Sequence, residues 1–419
     1  MRVLLLIPHN PRRRIPSPEG MPLGLLYLAS MIKADHDVRI VDEYSFPDDN
    51  NALQTIIDFS PDVVAISIPF KMLENPARNI AEKIREIGNA KIVIGGIHAT
   101  NAIKRIRASI THDYMIPGEG ENLFKTLING MDSKKEFHVE GILEPQNSFK
   151  NKEPIPIEIE KIPYPSRYLL PYREKYLERI LSSRGCGFNC AFCASRKFWG
   201  GFRGRNADKI IDELLEIYSE RGHVPVSFAD DSLTYSREHV LNLCDRIKTR
   251  RIATGSLGFS SHPNRLDEYL LDSMKDAGFD SLFIGLESGS DKVLKRIGKK
   301  YDREHAEKMI RFALGSGFDV HASFMIGLPG ENKEDLDLTL AWADELPLKS
   351  IGFHIFYPFE GCEIRENADR FGIKIVETDI NDGDIDGEAV IHNGVLSPGE
   401  ILEYYYKARA LARMKSSGN

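Results

Sequence analysis

Over the first 130 residues, short apolar runs alternate with stretches whose apolar positions recur at helical spacing. Runs at 2–7, 38–42, 62–68, 91–95 and 113–116 have the length of buried strands. Amphipathic stretches at 23–33, 51–58, 73–87, 101–108 and 121–129 lie between or after them. Five such strands joined by helical crossovers predict a doubly wound, Rossmann-like parallel sheet in an α/β fold. Ligands of such sheets sit beyond the carboxyl ends of the strands. That rule picks out Pro8–Pro11, Ser67–Phe70, Gly95–Gly96 and Gly118–Glu121, and within them Ser67, Gly95, Gly96, Gly118 and Glu119 are the candidate ligand-facing residues.

The alternation stops between Met131 and Lys175, where six prolines, Pro145 to Pro171, predict a connector rather than an element. A second series follows. Strands are expected at 179–183, 225–229, 253–259, 281–286, 319–326 and 350–356, with helical stretches between them. Six strand–helix units predict a partial, TIM-like β/α barrel with its chemistry at the strand carboxyl ends. From Phe371 the chain reads as a short appendix ending in a helix over 398–414. The expected division is 1–130 for the sheet, 131–175 for the connector, 176–365 for the barrel and 366–419 for the extension.

Composition narrows the class. A chain of 419 residues exceeds one ordinary core. A net charge of -7 argues against nucleic acid as the main partner. No apolar run reaches the roughly 18 residues of a membrane span. The first apolar run precedes Arg12, Arg13 and Arg14, the reverse of a signal peptide, so a cytoplasmic protein is expected. Those arginines read as a solvated basic turn. Three of the five cysteines lie within eight residues, which points to metal rather than disulfides.

Those three, Cys186, Cys190 and Cys193, form C-x3-C-x2-C just after the first expected barrel strand. Three thiolates hold three irons of a cubane and leave the fourth open to a small molecule. A zinc site would want four protein ligands or a nearby histidine. Cys244 reads as a core thiol and Cys362 as a packing residue. His262, His321 and His354 read as structural histidines near strands. The basic and aromatic residues after the cluster motif, Arg196 to Arg205, read as a loop packed at the barrel mouth.

The segment LSSRGCGFNCAFCAS resembles the radical S-adenosylmethionine (SAM) superfamily motif, including the aromatic Phe192 before the last cysteine. The resemblance implies a 4Fe-4S cluster whose open iron chelates SAM, and cleavage of SAM to a 5′-deoxyadenosyl radical. Other segments are similar to SAM-facing segments of that family. They place Asp230 and Asp231 after the second strand, Glu287 and Ser288 after the fourth, and Ile326 and Gly327 at the end of the fifth. The turn after the sixth strand departs from the family, with Glu360 and Cys362 in place of its usual proline and threonine. The first domain resembles the cobalamin-binding domain found ahead of many radical SAM barrels, through PLGLLYLAS, PDVVAISI, KIVIGGIHAT and IPGEGE. The histidine motif that supplies a lower cobalt ligand elsewhere is absent, as is common in this group.

Together these resemblances imply cobalamin-dependent methylation of an unactivated carbon. The alternatives are a radical SAM rearrangement, cyclisation or oxidation, and a non-catalytic cobalamin or redox sensor. The implied partners are a small-molecule or lipid-like substrate and an electron donor such as flavodoxin or ferredoxin. No particular catalytic residue is assigned.

Overall fold

The computed structural model describes residues 1–9, 19–46, 51–133, 138–145, 156–348, 350–376 and 389–417; Pro11, Arg12, Arg13 and Arg14 lie outside them. The chain forms two compact units, one covering Met1–Leu177 and the other beginning at Glu178. The connector therefore counts with the first unit, where Leu143 bridges Met115 and short 3-10 turns follow.

The first unit holds a five-stranded parallel sheet in the spatial order Asp37–Asp42, Arg2–Ile7, Val63–Ser67, Lys91–Gly95, Tyr114–Met115. The strand RVLLLI lies inside the sheet with a neighbour on each side, and Val3 to Leu6 are wholly buried, as a strand covered on both faces requires. The order reverses beside this strand, so the sheet has a topological switch point at its carboxyl edge. The helix expected over 101–108 is instead two, Ile97–Asn101 and Ile103–Ser109, broken at Ala102. The first of them starts directly after Gly96, which sits in the left-handed region at φ 110°.

Six parallel strands, the first crossing the boundary at Leu177, neighbour one another in chain order: Tyr176–Ile180, Val226–Phe228, Leu257–Ser261, Phe279–Glu287, Asp319–Ile326 and Ser350–Ile355. They form a curled half-barrel. The helices on its outer side begin on side-chain caps: Asn206, Ser236, Asp267, Asp302 and Asn332 each accept a backbone N–H of the first turn. Each such cap is worth about 1 kcal/mol. Phe228, Phe279, Phe324, Leu282 and Ile284 fill the core between strands and helices.

Further expectations need correction: the third barrel strand, expected from 253, begins only at Leu257. The first barrel strand ends at Ile180 rather than continuing to Ser183. Ser182 turns its N–H and hydroxyl to Asp230, and Ser183–Arg184 pairs antiparallel with Arg203–Gly204 instead. The carboxyl-terminal segment is also more than an appendix. Helix Pro398–Ser417 buries Ile401, Tyr404, Tyr405 and Ala408 in the half-barrel core. Among the described residues no helix is long and apolar enough to cross a membrane.

Candidate functional site

The cysteine loop runs from Gly185 to Cys193 and is braced from several barrel strand ends. Gly185 has φ 79°, and a Cβ there would meet the Gly201 carbonyl at 2.5 Å. A Cβ on Gly187 would overlap the Tyr235 hydroxyl, so glycine lets this ring lie against the loop. Phe188 packs edge-on to Tyr235 and stacks on His262, and the Arg265 guanidinium lies over both Phe188 and Tyr235. Ala191 donates to the Ile297 carbonyl at 2.8 Å and accepts from the Ile364 N–H at 3.0 Å. The loop is thus pinned on both sides of Cys190.

All three thiols are partly buried. Burial raises each of them, Cys190 to about 11; Lys299 opposes this, while Cys193, Glu287 and Cys186 add to it. Mutually repelling thiolates in a dry site fit a donor set completed by cationic iron. Among the described residues no three His, Cys, Asp or Glu side chains converge as a single ion requires. A cubane that takes one thiolate per iron spreads its ligands more widely than one ion does.

The carboxylates expected near this loop divide into two kinds. Asp230 is buried and accepts from the Ser182 N–H at 3.1 Å, the Ser182 hydroxyl at 2.8 Å and the Ser183 hydroxyl. Burial nevertheless lifts its carboxyl to about 6. It ties the second barrel strand to the segment entering the cysteine loop. Asp231 remains open to solvent, with Ser195, two residues past Cys193, donating to it at 2.7 Å.

Glu287 ends the fourth strand at a bulge and holds φ 65°, a conformation unusual for a side chain of its size. Lys299 donates to its Oε1 at 2.6 Å with both side chains buried. A Cβ on Gly285 would crowd both groups, so this glycine makes room for the pair. Lys299 also lies 5.9 Å from the Phe192 ring centroid. Ser288 is fully buried beside Thr339, 3.3 Å away, and accepts from the Ser290 N–H.

Ile326 is buried at the end of the fifth strand, and Gly327 follows with φ 88°. The Gly327 and Leu328 N–H groups donate to Glu331 Oε2 at 2.7 and 3.1 Å. Burial raises the Glu331 carboxyl to about 8. Asn393 donates to the Leu328 and Glu331 carbonyls, both at 2.9 Å, and a Cβ on Gly327 would strike Ile401. The carboxyl-terminal segment therefore fastens this turn. Lys299, Glu331 and Asn393 were not singled out from sequence. A buried lysine or glutamate leaves no pattern there, although Glu331 stands only four residues past Gly327.

Several other candidates are engaged locally. Arg205 pairs with buried Glu213 at 2.7 Å, and Lys197 pairs with Glu366. Cys244 is a core thiol pushed up to about 12 by burial. Cys362 caps the helical turn Glu363–Glu366 by accepting the Arg365 N–H at 3.4 Å.

In the first unit, Ser67, Gly95 and Gly96 meet at adjacent strand ends. Ser67 is the register partner of Gly95, and the Ile68 N–H donates to the Gly95 carbonyl at 2.8 Å. A Cβ on Gly96 would lie 2.8 Å from the Ile68 backbone. The Thr100 hydroxyl donates to the Gly96 carbonyl and accepts the Gly118 N–H, both at 2.9 Å, which joins Gly118 to the same edge. Glu119 follows and is buried. Behind them, Glu74 accepts from Arg105 Nε at 3.0 Å and lies beside buried His98. The result is an edge of bare backbone, suited to a flat heterocycle.

Comparison with known proteins agrees with both units. The model of the radical SAM superfamily matches residues 180–343, and that of the B12 binding domain matches residues 17–128. An uncharacterized methyltransferase of Pyrococcus horikoshii is 31% identical over 390 residues, covering 88% of this chain and 83% of the relative. A cytidylyl-2-hydroxyethylphosphonate methyltransferase of Streptomyces wedmorensis is 27% identical, covering 88% and 82%. The fold matches that of the radical SAM methyltransferase TsrM from Kitasatospora setae, solved with cobalamin and a [4Fe-4S] cluster bound. The TM-score is 0.73 at 18% identity, covering 90% of this chain and 81% of that one. This chain therefore belongs to the radical SAM superfamily, in the group that carries a B12 binding domain, and its cofactors are a 4Fe-4S cluster, SAM and cobalamin.

Proposed function

We propose that this enzyme methylates an unactivated carbon of a small molecule in a cobalamin-dependent radical SAM reaction. Cys186, Cys190 and Cys193 hold the cluster. Phe192, Asp231, Glu287 and the Ile326–Gly327 backbone face SAM. Ser67, Gly95, Gly96, Gly118 and Glu119 form the cobalamin edge. When bound, these cofactors supply the radical and the methyl group. The observation that carries the reading is the cysteine loop pinned at Ala191 from two barrel elements, beside the buried Glu287–Lys299 pair.

The residues have separable tasks. Asp230 and Ser288, whose polar atoms are engaged with protein neighbours, position the strand ends rather than bind directly. Asp231 offers a carboxylate suited to an ammonium group. The electron donor is a small redox protein of the flavodoxin or ferredoxin type.

The test supplies SAM labelled in its methyl group to anaerobically reconstituted enzyme, with a reductant and candidate substrates. Labelled product together with S-adenosylhomocysteine is expected. Turnover that yields 5′-deoxyadenosine but transfers no label would overturn the methylation reading. Cys190→Ala is expected to lose the cluster and all products, while Cys244→Ala keeps both.

A further inference from the structure

His262 stands just beyond the carboxyl end of the third barrel strand, Leu257–Ser261. Its ring stacks on Phe188, with centroids 3.9 Å apart and planes 19° apart. Phe188 lies between Cys186 and Cys190, and its backbone N–H bonds the Cys186 sulfur. The next turn fixes the imidazole tautomer. The Asn264 N–H donates to Nδ1 at 3.2 Å, so Nδ1 is an acceptor and the proton is on Nε2.

Burial, with the positive charges of Lys299 and Arg265, pushes this histidine down to about 3, so the ring stays neutral at working pH. The side chain is 6% exposed, and Nε2 has no hydrogen-bond partner among the described residues. A buried N–H left unpaired is costly, which makes it an unusual feature to keep. The groups around the ring do not relieve it. Lys299 carries only donors, and no acceptor among the described residues reaches Nε2. The stacking on Phe188, which lies between Cys186 and Cys190, sets this unpaired donor beside the cysteine loop.

We propose that His262 props the cysteine loop through Phe188 and donates its Nε2–H to a sulfur of the iron–sulfur group held there. This rests on the reading that Cys186, Cys190 and Cys193 hold the cluster. A donor to sulfur stabilises the more negative, reduced state, so it raises the reduction potential. His262 is thus a positioning and tuning residue.

The test measures iron per chain and the cluster midpoint potential by EPR-monitored titration, with and without SAM. His262→Phe keeps a flat ring and removes the donor. It is expected to hold wild-type iron with a lower midpoint in the absence of SAM. His262→Gln, which restores a donor near the Nε2 position, is expected to return the midpoint toward wild type. If His262→Phe takes up little iron, His262→Gln against His262→Leu makes the same comparison without the ring. An unchanged midpoint in the donor-free variant, or a shift only when SAM is present, overturns the proposal. Wild-type protein that takes up no cluster, or a triple cysteine-to-alanine variant that keeps it, overturns the cysteine reading itself.

Discussion

Lys299 Nζ and Glu287 Oε1 lie 2.6 Å apart, and both side chains are more than nine-tenths buried. The lysine approaches from the segment after the helical turn Asp291–Arg296, while the glutamate sits on a bulged strand end in a left-handed conformation. Neither feature is needed to close a half-barrel. Both bring a charged pair to the cysteine loop, and local strain of this kind clusters at working sites.

Breaking the pair strands a charge in a dry site. Lys299→Met is expected to lower the free energy of urea unfolding by about 3–5 kcal/mol. Adding Glu287→Gln to it removes the stranded charge and is expected to recover a large part of that loss. A Lys299→Met protein that unfolds like wild type would show that the pair does not anchor Glu287.

Glu331 gives a pH signature. Its folded value, raised to about 8 from an ordinary 4.5, means that the native state holds the proton more tightly than the unfolded chain. This group's contribution therefore falls as pH rises from about 4.5 to about 8 and is flat above, by at most about 5 kcal/mol. Glu331→Gln keeps an acceptor for the Gly327 and Leu328 N–H groups and removes the titration. Its stability relative to wild type is expected to be greater at pH 8.5 than at pH 5, measured by urea unfolding. Parallel pH dependence in the two proteins would remove Glu331 as the source.

The sequence was most informative where one period or one motif determines the structure. The fifth barrel strand spans Asp319–Ile326, as its apolar pattern predicts, because its alternate residues Val320, Ala322, Phe324 and Ile326 are buried. The cysteine trio was legible because its spacing is local. What periodicity misses is competition for backbone groups. Ser182 looks like the end of a strand until Asp230 takes its N–H. Ala102 looks like helix interior until the chain must turn after Gly96. Partners distant in sequence, such as Lys299 with Glu287 or Asn393 with Leu328, carry no local signal. His262 read as a structural histidine because its stacking on Phe188 joins residues more than seventy positions apart.

The glycine edge separates a fold effect from a ligand effect. A Cβ on Gly95 would meet only the Ile116 carbonyl, at 3.5 Å, an ordinary contact. Gly95→Ala is expected to fold like wild type, with an unchanged thermal midpoint, yet to bind cobalamin at least tenfold more weakly in an absorbance titration. Gly96→Ala meets the Ile68 backbone at 2.8 Å from a left-handed conformation and is expected to lose both stability and binding. Wild-type cobalamin affinity in Gly95→Ala would move the corrin away from this backbone.

Asn393 tests whether the carboxyl-terminal segment serves the site. Its side chain is fully buried and makes four hydrogen bonds. Nδ2 donates to the Leu328 and Glu331 carbonyls, and Oδ1 accepts the Val395 and Leu396 N–H groups. Asn393→Ala leaves those buried groups unpaired, at roughly 1–3 kcal/mol for each that water does not reach. Asn393→Asp keeps the acceptor but places a carboxylate against two carbonyls, so it is expected to be no better. The turn that loosens carries Gly327, whose backbone is proposed to face SAM. Asn393→Ala is therefore expected to weaken SAM binding by equilibrium dialysis while retaining wild-type iron content. Iron and SAM binding lost together would point to general unfolding of the half-barrel. Unchanged SAM binding in a destabilised protein would confine the segment to a packing role.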